Sequence, residues 1–137
     1  MIGRSHSQRI LVLGTLFAGS AVAAGAFGAH ALKSILDAPS LQVFDTATRY
    51  QMYHAFALCI VSWAIDRYPE QRLEQIGWLF TIGILLFSGS LYIVSLRGIR
   101  WLGAVTPIGG LAFLAGWILL GWRIWRDGLP RTRSRTS

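Results

Sequence analysis

The sequence predicts an all-α integral membrane protein, a bundle of four antiparallel transmembrane helices. Three observations carry this. Four apolar runs approach the length of a bilayer core, short hydrophilic links separate them, and most of the basic residues fall on the links and the C-terminal tail.

The first run, residues 10–31, contains no charged residue. At about 1.5 Å per residue it is roughly 33 Å long, matching a hydrocarbon core of about 30 Å. Arg4 and Arg9, then apolar residues, then Ala21-Val22-Ala23-Ala24, also fit the pattern of a secretory signal. The length of the apolar stretch favours a membrane span. The second run, 47–65, follows a link in which Pro39-Ser40 breaks the chain, and a helix forming from Leu41 would lie at the interface before entering the bilayer. The third run is 76–96. The fourth is 107–122, with Thr106 as cap and Pro107 at the first helical position, where a missing donor costs nothing. Short links make successive helices antiparallel neighbours. The transmembrane domain is thus 1–126, and 127–137 is a basic tail.

Composition agrees. Of the 137 residues, 53% are hydrophobic and only 14% charged, more apolar surface than a soluble domain of this size can hide. The net charge of +7 points to anionic lipid headgroups rather than nucleic acid, because the arginines flank apolar runs. Arg123, Arg126, Arg131, Arg133 and Arg135 are the headgroup candidates. The lone Cys59 excludes an intramolecular disulfide. With both termini cytoplasmic, the inner side holds Arg4, Arg9, Arg67, Arg72 and those five C-terminal arginines, against Lys33, Arg49, Arg97 and Arg100 outside, which favours that orientation.

Three stretches resemble a known family: Gly25-Ala26-Phe27-Gly28-Ala29-His30-Ala31-Leu32, Tyr50-Gln51-Met52-Tyr53-His54-Ala55, and Phe87-Ser88-Gly89-Ser90-Leu91-Tyr92 with Thr106-Pro107-Ile108-Gly109-Gly110. In motif order and spacing the chain is similar to the YgdD/YwdK family of small membrane proteins of unknown function, which has mitochondrial relatives. The resemblance implies a four-helix protein of a bacterial inner membrane. It implies no activity, substrate or catalytic residue.

Polar residues in membrane helices are expensive and tend to face the protein interior. His30, Tyr50, His54, Ser88, Ser90, Tyr92 and Thr106 all fall in the outer half of the expected topology. Gly109 and Gly110 lie at the start of the fourth helix, where backbone amides lack helical partners and favour anions or carbonyls. Together these nine residues form the candidate ligand site, suited to a lipid, a quinone or a small acid, and its imidazoles would sense external acidity. The alternative is that the hydroxyls bond their own backbone or join helices, with Tyr in the aromatic belt. The inner half offers only Thr15, Ser62, Thr81 and the indoles of Trp63, Trp78 and Trp117.

Sharper chemistry has less support. His30 and His54 lack a third strong ligand for a metal, and no cofactor is expected. Ser88 or Ser90 with His54 would need Asp45 to fold back to make a triad. Gly14, Ala18, Ala21, Gly25 and Ala29 form one row of small residues on the first helix, and Gly19, Ala23 and Ala26, continued by His30, form a second. Such rows let helices approach closely, here two neighbours within the chain, another copy or a larger complex. The expectation is a non-enzymatic accessory or assembly subunit, or a binder of a lipid-like or quinone-like ligand. A small oligomeric transporter or channel is the alternative, and an intramembrane enzyme the remaining one.

Overall fold

The structure, a computed structural model, describes residues 2–128, with side chains over 6–126. The described residues are helical and contain no strand. Four long helices follow in order: α1 (Ile2–His30), α2 (Ala38–Arg67), α3 (Glu74–Arg97) and α4 (Thr106–Gly128). Single 3-10 turns, Leu32–Ser34, Pro69–Gln71 and Arg100–Ala104, lie in the three links.

The helices are longer than their apolar runs. α2 begins at Ala38, not at the start of the run, because Asp37 caps it: its carboxylate accepts the Ser40 amide at 2.9 Å. Pro39 sits in the first turn, where proline is tolerated, so it starts the helix rather than breaking it. At the same end of the molecule α4 needs no cap from Thr106. The 3-10 turn leads straight into it, and the Val105 carbonyl accepts the amides of Ile108 (3.1 Å) and Gly109 (3.4 Å). α3 ends at Gly98, whose φ of 67° is the left-handed conformation of a helix stop and whose amide returns to the Val94 carbonyl.

α3 is not a uniform helix. Its centre, Ile84–Ser88, is a π segment. There α4 comes closest: a Cβ on Gly109 would lie 2.4 Å from the Phe87 backbone nitrogen. Nearby, Phe113 of α4 packs onto Gly83 and Phe80 of α3 onto Gly116. Aromatic rings thus fill the space that glycine leaves on the facing helix, which is how helices gain contact where lipid is as apolar as leucine.

α2 is the interior helix, packed along α1 on one side and α3 on the other. Phe44, Ala47, Gln51, His54, Leu58, Val61 and Ile65 form its buried stripe, at alternating spacings of three and four. Gly14 of α1 meets Ala55, Leu58 and Cys59, and Gly28 meets the Phe44 ring. The expected row of small residues on α1 therefore faces α2. The second row faces outward: Ala23, Ala26 and His30 are exposed, and a Cβ on Gly19 would touch nothing.

The surface is as apolar as the core. Leu16, Leu111 and Ile118 are each more than 60% exposed. Water would not tolerate so many apolar groups outside, whereas hydrocarbon would. Trp63, Trp122 and Trp125 are exposed at one end and Trp101 at the other, the positions of interfacial belts. Three stretches, His6–Ser34, Glu74–Arg97 and Arg100–Arg126, are long and apolar enough to cross a membrane. α2 falls outside that group because its run carries Arg49, Gln51 and His54, the last two turned inward.

Candidate functional site

One polar network joins three helices. Gln51 of α2 is buried, and its Nε2 donates to the Phe17 carbonyl (2.9 Å) and to Ser20 Oγ (2.8 Å), both on α1. Tyr92 of α3 donates to Gln51 Oε1 at 2.9 Å, with Thr48 Oγ1 also at 3.2 Å. Phe44 packs against the Tyr92 ring, centroids 5.0 Å apart. A polar group in a membrane helix needs partners within the protein, and here each finds one on a neighbouring helix.

This network is the floor of a groove. α1 and α3 meet where Ile10 covers Gly77, near one end of the molecule, and a cleft of about 600 Å³ separates them towards the other end. Phe17 and Phe27 line it from α1, Ile84, Leu85 and Leu96 from α3, and Ser20, Gln51 and Tyr92 are its polar atoms. Gly89 lies on its wall, and a Cβ there would meet nothing within 4 Å. A second cleft, about 400 Å³, opens between α1 and the start of α2, beside Lys33, Gln42 and Asp45.

The residues expected from sequence do not form one cluster. Tyr92 belongs to the network. Ser90 instead meets Thr106 at 2.7 Å, tying α3 to the start of α4. His54 is buried among rings: its Nδ1 lies 2.8 Å from the Tyr50 carbonyl, its Nε2 accepts from Trp117 Nε1 at 3.2 Å, and it stacks on Phe113. This is the neutral tautomer with both nitrogens engaged. Ser88 is buried without a hydrogen-bond partner, so no serine–histidine pair forms. Tyr50 packs on Phe87 at 4.7 Å and is 40% exposed. His30 is exposed at the end of α1, away from the network. Gly109 and Gly110 face Phe87, not an open site. Among the described residues no three metal-binding side chains gather in one place.

One further side chain differs from its expected role. Arg123 does not point to headgroups: its guanidinium donates to the carbonyls of Gln71 and Arg72 (2.8 Å each) and to Gln75 Oε1 (3.1 Å), closing the link between α2 and α3. Arg126 stays at the surface, over the Trp122 ring. Arg131, Arg133 and Arg135 lie outside the described residues. In the other half of the helices Thr15 and Thr81 bond carbonyls of their own helix, while Ser62 reaches the Ser7 carbonyl of α1.

Comparison with known proteins adds a family. The model of a family described as a protein of unknown function (DUF423) matches residues 24–110. The chain is 47% identical over 110 residues to a UPF0382 membrane protein of Staphylococcus saprophyticus, covering 80% of this chain and 91% of that one. It is 45% identical over 111 residues to the UPF0382 membrane protein YwdK of Bacillus subtilis, covering 80% and 90%. No solved structure matches.

Proposed function

The chain belongs to the DUF423 family of membrane proteins of unknown function, and on that premise we propose that it holds a lipid-like amphiphile in the groove between α1 and α3. The observation that carries this is the groove itself: apolar walls open to the membrane above a buried, hydrogen-bonded floor. Ligand sites pair a large apolar lining with a few convergent polar groups, and this groove does so. In this reading four helices cross the cytoplasmic membrane, both termini are cytoplasmic, and the groove opens into the outer leaflet. The Arg and Lys distribution supports that orientation. The protein is a binder and not a catalyst, since His54 is engaged on both nitrogens and Ser88 has no base beside it.

The outward row of Gly19, Ala23 and Ala26 favours a second reading, an accessory subunit whose α1 docks on another membrane protein or another copy. Transport has less support, because Thr15 and Thr81 spend their hydroxyls on their own helices and continue no polar path.

Native mass spectrometry of protein released from lipid nanodiscs tests the binder. The wild type should retain an amphiphile, and Gly89→Leu, which fills open space on the groove wall, should lose it while staying folded. A wild type free of amphiphile, or equal retention by Gly89→Leu, overturns the reading.

A further inference from the structure

The floor of the groove accepts hydrogen bonds and has none left to give. Both Nε2 hydrogens of Gln51 go to α1. The Ser20 hydroxyl donates to the Phe17 carbonyl at 3.1 Å, and the Thr48 hydroxyl to the Phe44 carbonyl at 3.1 Å. The single Tyr92 hydrogen is directed to Gln51 Oε1, or to Thr48 Oγ1. What remains on the floor are lone pairs, on Tyr92 Oη, Gln51 Oε1 and Ser20 Oγ. No Lys, Arg, Asp, Glu or His lines the groove, so a charged head would sit there unpaired.

Resting on the groove reading, we infer that the occupant is a neutral alcohol on a long hydrocarbon chain, its hydroxyl donating to the lone pairs of Tyr92, Gln51 and Ser20. An ester, ketone or phosphate would present lone pairs to lone pairs. The chain lies between Phe17 and Phe27 on one wall and Leu85 and Leu96 on the other.

The test uses two probes that differ in the donor: 1-dodecanol and dodecyl methyl ether, mixed at equal mole fraction in nanodiscs, with bound ratios read by native mass spectrometry. Wild type should favour the alcohol by about fivefold, the factor one net hydrogen bond of ~1 kcal/mol gives. Tyr92→Phe should keep that preference, because Gln51 Oε1 is left accepting. Gln51→Leu should weaken it, because one of the three acceptors is gone while the Tyr92 hydrogen stays on Thr48 Oγ1. Both compounds should be excluded from Gly89→Leu, and melting temperatures confirm that each variant is folded. An ether bound as well as the alcohol in wild type, yet excluded by Gly89→Leu, overturns the inference and leaves the groove standing. Binding of both that ignores Gly89→Leu, or of neither to wild type, overturns the groove as well.

Discussion

Trp117 Nε1 of α4 donates to His54 Nε2 of α2 across 3.2 Å, while the imidazole lies flat on Phe113 with centroids 3.4 Å apart. The histidine is thereby part of the contact between α2 and α4, outside the groove. His54→Phe keeps a ring for the stack and removes the bond, so it should cost roughly 0.6 kcal/mol, the average for membrane hydrogen bonds. Trp117→Phe should cost a comparable amount, and the double variant less than the sum. Equilibrium unfolding in micelles measures all three. Loss of amphiphile binding in His54→Phe with stability unchanged would return the imidazole to the site.

The helical glycines divide by what a methyl group would meet. Gly109→Ala places Cβ 2.4 Å from the Phe87 backbone nitrogen, which cannot step aside, and Gly83→Ala and Gly116→Ala press on the rings of Phe113 and Phe80. Overpacking of this kind should cost about 1–3 kcal/mol, with Gly109 the worst. Gly19→Ala and Gly89→Ala enter open space within helices and should stabilise by up to ~1 kcal/mol. A thermal series over the five variants checks the order, and a harmless Gly109→Ala would contradict the close approach at the π segment.

Most of the fold is legible in the sequence, because apolar runs of bilayer length leave helices few alternatives. The site is less so, for a reason visible on α2. Tyr50 and His54, four apart, are conspicuous, and with Val43, Ala47 and Val61 they suggest one inward stripe. The buried stripe instead runs Phe44, Ala47, Gln51, His54, Leu58, Val61, Ile65, and takes in Gln51 but not Tyr50. Alternation of three and four, sustained from Phe44 to Ile65, is the signal that would have found Gln51. The π segment and the reach of Arg123 to the 71–72 carbonyls carry no such mark, since both arise from where α4 packs.

Arg123 gives a prediction of its own. One guanidinium serves two carbonyls and one amide oxygen, a fork that lysine cannot reproduce. Arg123→Lys and Arg123→Gln should each cost about 1 kcal/mol and raise hydrogen exchange in the 68–75 link. Arg126→Gln, at the surface, should do neither. Equal effects at both positions would mean that Arg123 acts only through its charge.

Asp37 should make stability fall in acid. The Ser40 hydroxyl and then the Ser40 amide hold its carboxyl below the ordinary carboxylate value. A depressed folded pKa contributes stability that is full above the unfolded value and is lost as pH falls through the folded one. Melting temperature should therefore drop on acidification through that range in wild type, and drop less in Asp37→Asn, which still caps but does not titrate. Identical acid profiles would show that the cap carries no weight.

The last prediction concerns α2, the helix whose own hydropathy does not mark it as a span. It is tied to α1 at both ends: Ser62 Oγ donates to the Ser7 carbonyl at 2.8 Å, and Phe44 packs against Gly28. Residues 7 to 28 of α1 cover roughly 32 Å at about 1.5 Å per residue, the thickness of a hydrocarbon core. If α1 crosses, a helix fastened to it at both ends crosses with it, its polar groups shielded by α1 and α3. Single cysteines replacing Ser34 and Glu70, exposed residues flanking α2, should then label from opposite sides of the membrane in a Cys59→Ser background. An impermeant maleimide should reach Ser34→Cys in intact cells and Glu70→Cys only after permeabilisation. Both labelling from outside would put α2 at the surface and end the four-span arrangement; the reverse pattern would keep the spans and invert the orientation.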